Sequence, residues 1–258
     1  MLESASPTRL VTTPNASLAP HPPIASAYSA PAQKRPFLNA IFDDTAQDYD
    51  RIEKWVSLGT GRLYRRQALL RAGLKPGMAV ADVAVGTGLV AVEAQAIIGA
   101  GGRLVGVDPS PNMMRCAREH FGIETVLGSA ESLPFDDATF DFLSMGYALR
   151  HVEDLNAAFR EFHRVLKPGG RLCILEITRP KTSLGRNFFR AYLWSVSRLA
   201  GMRFRLAPRT PELWSYYWKT IDACAPAQSI MDALAGAGFN SIHRNVVGGV
   251  FSEYTATR

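Results

Sequence analysis

The run Met78-Ala-Val-Ala-Asp82-Val-Ala-Val-Gly86-Thr-Gly88-Leu-Val90 constrains the fold more than any other stretch of the chain. Apolar residues from Met78 to Ala81 lead into Asp82. A turn of small residues follows, with Ala84, Gly86 and Gly88, and then helix-forming residues from Leu89 to Ile98. The pattern predicts strand, tight loop, helix. In an open α/β sheet such a loop lies at the carboxyl end of a strand, where ligands bind. Glycines there supply unusual dihedrals and let a ligand approach the backbone. Taken alone, the run also fits an ordinary β–α turn.

The rest of the chain repeats the alternation. Residues 41–57 have helical spacing through Phe42, Tyr49, Ile52, Trp55 and Val56, and 62–72 reads as a second helix closed by Gly73 and Lys75-Pro76-Gly77. Strands are expected at 79–83, 103–107, 124–127, 140–145 and 171–177, with helices at 89–98, 109–120 and 154–166. A helix at 227–235 and strands at 239–244 and 248–256 finish the chain. This alternation predicts an α/β, doubly wound, largely parallel sheet with right-handed crossovers.

A length of 258 residues with 47% hydrophobic content supports one large domain, placed at 37–258. Residues 1–36 are rich in Pro, Ala, Ser and Thr without periodicity and read as a disordered N-terminal arm. The arm lacks the apolar core of a secretory signal. No uncharged apolar run reaches the length of a membrane span. Cys116, Cys173 and Cys224 are widely spaced, match no zinc pattern and suggest no disulfide framework, so a reducing, cytoplasmic setting and no metal cluster are expected.

The net charge of +6 is unevenly spread. Between Glu176 and Glu212 there is no acidic residue, and Arg179, Lys181, Arg186, Arg190, Arg198, Arg203, Arg205 and Arg209 all fall there. Residues 181–220 therefore read as a basic, aromatic lid or substrate-side insertion. As a helix, 185–200 gathers Phe188, Phe189, Tyr192, Val196 and Leu199 on one face. That face either rests in an anionic membrane interface or packs on its own domain and shields the site. No RNA-binding motif accompanies the basic residues, so no nucleic-acid partner is expected.

Asp108 lies at the end of the second strand, 20 residues beyond Gly88. A carboxylate there accepts hydrogen bonds from both ribose hydroxyls of a nucleoside. The segment Gly128-Ser129-Ala130-Glu131-Ser132-Leu133-Pro134-Phe135 is either an adenine-reading loop or a plain surface corner at Pro134.

Together, Asp82-Val-Ala-Val-Gly-Thr-Gly88, Val107-Asp108, Ala130–Phe135, Leu149-Arg150-His151-Val152 and Arg164-Val-Leu-Lys-Pro-Gly-Gly170 resemble class I S-adenosylmethionine-dependent methyltransferases. With Phe42-Asp43, Tyr49-Asp50, Ser57–Arg66, Leu175-Glu176 and Ala237-Gly238-Phe239, they are most similar to the UbiE/MenG quinone C-methyltransferases. The resemblance implies a Rossmann-like doubly wound seven-stranded sheet with the last strand antiparallel. It places S-adenosylmethionine on Asp82, Ala84, Gly86 and Gly88, with Asp108 at the ribose and Ser129 and Ala130 at the adenine. Tyr49 and Arg62 would close the methionine side and the substrate cavity. Three departures stand out: Val85 where the family usually has glycine, His151 where it often has asparagine, and the aromatic cluster 214–218.

The expected reaction is methylation of a ring carbon on a lipophilic quinol or prenylated phenol. Arg150, His151 and Tyr49 are the candidate catalytic residues. His151 would accept the phenolic proton and Arg150 would stabilise the phenolate. Alternatively, His151 only caps the strand end and Arg150 pairs with an acid such as Glu153. Other acceptors (a phospholipid amine, a secondary metabolite) and a non-catalytic cofactor-binding subunit are the rival functions. Peripheral membrane contact and a homodimer complete the expectations for partners.

Overall fold

A computed structural model describes residues 17–203 and 206–258. Helices α1 (Lys34–Val56) and α2 (Gly61–Arg71) precede strand β1 (Ala79–Val83). Then come α3 (Ala91–Ile98), β2 (Arg103–Asp108), α4 (Pro111–Phe121), β3 (Thr125–Leu127) and β4 (Phe140–Gly146). A 3₁₀ turn, Leu149–His151, leads to α5 (Leu155–Val165) and β5 (Leu166–Ile177). Helices α6 (Ser183–Arg203), α7 (Thr210–Ala223) and α8 (Ala227–Gly236) precede β6 (Asn240–Val247) and β7 (Phe251–Thr257).

The strands form one seven-stranded sheet in the order β3-β2-β1-β4-β5-β7-β6. The first five are parallel, and β7 runs antiparallel to both β5 and β6. Side chains alternate between faces, so each central strand feeds two apolar layers. On one side Leu143 and Met145 of β4 meet Phe159 and Phe162 of α5; on the other, Phe142 and Val80 meet Ala94 and Ile98 of α3. Chain direction across the sheet reverses between β1 and β4, which opens a crevice at their carboxyl ends.

Local chemistry sets the helix starts around that crevice. Ser110 accepts the Met113 N–H at 3.1 Å and Pro111 follows, so α4 begins there, two residues after Asp108. Asp154 caps α5 by accepting the Asn156 N–H at 3.0 Å. Val85 is accommodated by a glycine elsewhere. It is buried, and a Cβ at Gly106 of β2 would sit 2.8 Å from its side chain. A branched residue in this loop is therefore matched by a bare backbone beneath it.

The N-terminal boundary differs from the sequence reading. Residues 1–16 lie outside the described residues, but 17–36 are packed rather than a free arm. The Leu155 N–H donates to Leu18 O at 2.9 Å and the Ala225 N–H donates to Pro20 O at 2.7 Å. Ile24 and Tyr28 are buried with Leu38 and Tyr216. Few apolar residues suffice here because α7 supplies the complementary surface. Helix α7 itself has no clear period in the sequence, and its aromatic cluster is the reason: Tyr216 is buried, while Tyr217 and Trp218 are half-buried.

Candidate cofactor and acceptor site

A cleft lies over the carboxyl ends of β1, β2 and β4, between the Ala84–Thr87 loop and a wall made by α1 and Tyr217 of α7. The loop takes positive φ at Ala84 (56°) and Gly86 (56°). The Gly86 N–H donates to Asp108 Oδ2 at 2.8 Å, and the Ser110 N–H donates to Oδ1 at 2.8 Å. Each carboxylate oxygen keeps a lone pair for a further donor, such as one hydroxyl of a diol. Burial pushes the Asp108 pKa up to about 6, against the pull of those two N–H groups. Burial likewise raises Asp82 to about 7, opposed by the Ser144 hydroxyl, which donates to it at 2.6 Å, and reinforced by the charge of Asp108.

Asp82, Ala84, Gly86, Asp108, Ser129, Ala130 and Tyr49 all line this cleft. Gly88 does not. Its φ is +95°, and a Cβ would lie 3.1 Å from Phe121 and 3.3 Å from the Ala117 Cβ, so it lets the loop close on α4. Arg62 also falls elsewhere: it is exposed and pairs with the buried Glu93 at 2.6 Å. Arg65, one turn along α2, is the residue that reaches the cleft, held by Glu53 of α1 at 2.7 Å. Burial marks the same phase at Gly61, Arg65 and Leu69, an i, i+4 stripe that could have singled out Arg65 in the sequence.

The deep end of the cleft is aromatic. His151 lies edge-on to Phe42 at 5.2 Å between ring centroids and stacks on Tyr216 at 5.6 Å and Tyr217 at 6.0 Å. Both its ring nitrogens are buried and without a partner. Burial, and then the positive charges of Arg150, Lys34 and His21, hold its pKa well below the ordinary 6.5. The imidazole is therefore neutral near pH 7. Tyr147, at the end of β4, also lines the cleft and holds a positive φ of 59°. Phe42, Glu53, Arg65, Tyr147 and Tyr217 are among the lining residues that sequence reasoning did not assign.

Arg150 is fully buried behind this wall and does not line the cleft. It ion-pairs with Glu176 of β5, not with Glu153, and its own N–H donates to Glu176 Oε2 at 3.3 Å. Burial works against its charge, and Glu176, with Tyr217, Tyr49 and Cys224 adding to it, more than offsets that. Its guanidinium lies 5.0 Å from the Tyr217 ring centroid. Glu153 pairs with Arg35 instead, at 2.8 Å.

The donor set fits S-adenosylmethionine. Two carboxyl groups face a floor of backbone amides, Arg65 and Glu53 offer opposite charges for an amino-acid end, and the buried Thr87 Oγ1 has no partner of its own. The profile of the ubiE/COQ5 methyltransferase family matches residues 30–258. The chain belongs to that family. Its members named as ubiquinone/menaquinone biosynthesis C-methyltransferase UbiE include one from Shewanella woodyi, 30% identical over 84% of this chain and 89% of the relative. A demethylmenaquinone methyltransferase from Mycolicibacterium paratuberculosis is 33% identical over 85% of this chain and 93% of the relative. Among solved structures, an Aquifex aeolicus SAM-dependent methyltransferase superposes with a TM-score of 0.58 at 19% identity, covering 81% of this chain and 97% of that one. That likeness places the fold. As a member of the ubiE/COQ5 family, the protein is an S-adenosylmethionine-dependent methyltransferase. Among the described residues no group of His, Cys, Asp and Glu is placed to hold a metal ion.

Proposed function

We propose that this enzyme methylates a ring carbon of a quinol or prenylated phenol, as the names of its relatives describe for them. The observation that carries the reading is His151: a neutral, unpartnered imidazole in the cofactor cleft, beside the lining rings of Phe42 and Tyr217 and backed by Tyr216. Flat aromatic walls suit a flat aromatic acceptor. Bound S-adenosylmethionine supplies a methyl group already activated by the sulfonium charge. Asp108 takes the ribose hydroxyls, Ser129 and Ala130 flank the adenine, and Arg65 with Glu53 meets the amino-acid end. Tyr49 stands on α1 between that end and the acceptor chamber.

His151 then accepts the phenolic proton, directly or through water, which raises the nucleophilicity of the adjacent ring carbon. Its low basicity in the free enzyme is offset once a phenolate forms beside the imidazolium, because the pair forms in a water-poor chamber. Arg150 acts at one remove. Fixed by Glu176, it contributes positive potential through Tyr217 and does not touch the acceptor.

A lipid-borne acceptor also accounts for α6. Its outer face exposes Leu184, Phe188, Trp194 and Met202 beside Arg190 and Arg198, which suits peripheral contact with an anionic membrane on the cytoplasmic side. No helix among the described residues is long and apolar enough to cross a membrane.

Replacing His151 with Ala tests the assignment. Turnover of a quinol substrate should fall about 10²–10⁴-fold while S-adenosylmethionine affinity holds; unchanged turnover removes His151 from the chemistry. Mass analysis of quinones and lipids from a deletion strain identifies the acceptor. A demethylated quinone should accumulate, whereas loss of methylated head groups would point to a phospholipid amine instead.

A further inference from the structure

Lys34 is a buried charge that the cleft chemistry does not use. It opens α1 and is 6% exposed. Its ammonium donates to the carbonyl of Val152 at 2.6 Å and reaches that of Arg150 at 3.5 Å. Those two carbonyls bracket His151 and Val152 along the chain. A buried lysine normally finds a carboxylate. The acids nearest to Lys34 are committed elsewhere: Glu153 binds Arg35 at 2.8 Å, and Glu131 lies 3.4 Å from the same guanidinium. Burial lowers the Lys34 pKa to about 8, with Glu153 and Glu131 opposing, so the amine is largely charged at neutral pH.

Every element packed on His151 faces it with an identifiable group. Its own turn contributes Arg150. Helix α1 contributes Phe42 and Lys34, the segment before α1 contributes His21, and α7 contributes Tyr216 and Tyr217. Glu176 grips the turn from β5 by accepting the Arg150 N–H, and Lys34 grips it from α1 through the carbonyls. The turn is thus clamped between the sheet and the helix that walls the cleft.

We propose that Lys34 is a positioning residue for His151: its ammonium grips the turn by two carbonyls, sets the imidazole against Tyr216 and Tyr217, and places a positive charge beside it. The catalytic consequence rests on the proton-accepting role given to His151 above. The grip on the turn does not.

The test uses the full-length enzyme with Lys34→Met and Lys34→Arg. The chain has five histidines, so the His151 imidazole signal is assignable by NMR from its loss in His151→Asn. In Lys34→Met the His151 titration midpoint should rise, because one positive neighbour is gone. The kcat should fall about 10- to 100-fold as the imidazole loses its alignment. S-adenosylmethionine affinity by calorimetry should stay within about twofold, since Lys34 does not line the cofactor cleft. Lys34→Arg should keep the low midpoint and recover most of kcat. Should Lys34→Met fail to fold, Lys34→Gln keeps a donor, loses the charge and gives the same reading of the midpoint. An unmoved midpoint in the neutral variants overturns the proposal. A raised midpoint with unchanged kcat supports the charge placed beside the imidazole and instead removes His151 as the base, which full turnover in His151→Asn would show independently.

Discussion

Asp82 and Asp108, the two buried carboxyls of the proposed cofactor floor, make the cleft sensitive to pH. Their folded pKa values, about 7 and about 6, lie above the ordinary 3.8. The sign follows directly: stability associated with the protonated carboxyls is complete below pH 4 and is lost as pH rises through 6 and 7. A ligand that brings a cation and a diol stabilises the ionised forms instead, so binding expels protons. The affinity for S-adenosylmethionine should therefore rise with pH between 5 and 8 and level off above. Calorimetry in buffers of different ionisation heat measures the proton release; an affinity that falls over that range sinks the assignment. The place of Asp108 in the cleft was legible because strand, loop and spacing all point to one position. The partner of Arg150 was not. A near neighbour, Glu153, was the natural expectation, but the parallel register pairs Gly146 of β4 with Leu175 of β5 and brings Glu176 to the turn. Both partners are nearly inaccessible, so Glu176→Ala strands a buried guanidinium. Urea unfolding should give a loss of about 3–5 kcal/mol. A loss below about 1 kcal/mol, typical of exposed pairs, would mean that the charge finds water. Arg62 and Arg65 illustrate the same limit: they lie about 60° apart around one helix, and residue type alone does not choose between them.

At the scale of an element, the basic, aromatic stretch forms α6, with faces other than those expected. The expected apolar face held Phe188, Phe189, Tyr192, Val196 and Leu199. The structure turns Val196 inward, docks the Tyr192 hydroxyl on Val56 O at 2.6 Å and sets Phe189 6.2 Å from Trp218. Phe188 (73% exposed) and Trp194 (62%) point out, and Arg198 covers the Trp194 ring at 5.4 Å. Apolar residues occupy nearly every side of this helix, so periodicity could not say which side meets the domain. One face of the helix packs on the domain and the other is exposed. Phe188→Ser with Trp194→Ser should leave Tm within a degree or two, since both rings are mostly in water. The same pair should reduce flotation with anionic vesicles at low salt. Turnover of a short-tailed, water-soluble quinol should not change. Equal flotation of variant and parent would remove α6 as the contact.

At the scale of the whole molecule, the alternation of strands and helices and the loop over the crevice were legible because each strand and crossover is local in sequence. The wall of the proposed acceptor chamber was not, because it is assembled from distant pieces. Phe42 comes from α1, His151 from the turn after β4, and Tyr216 and Tyr217 from α7, with the segment 17–33 packed behind them. Proline-rich composition described that segment in isolation and predicted disorder. In the fold it is held by Leu18 on α5, by Pro20 at Ala225, and by Ile24 and Tyr28 against Tyr216. This division makes a sharp prediction for a chain lacking residues 1–30. Burying Ile24 and Tyr28 stabilises by about 1.5–3 kcal/mol each, so the truncated protein should lose about 3–6 kcal/mol from these two side chains alone. Tyr216 loses one of its two aromatic neighbours in that cluster, Phe37 remaining at 5.3 Å, and the rear of the His151 chamber opens to water. The kcat should fall with it. Affinity for S-adenosylmethionine should not, because no described residue before Arg35 lines the cofactor cleft. A parallel loss of cofactor affinity would mean that the two halves of the site are coupled through α1 rather than walled separately.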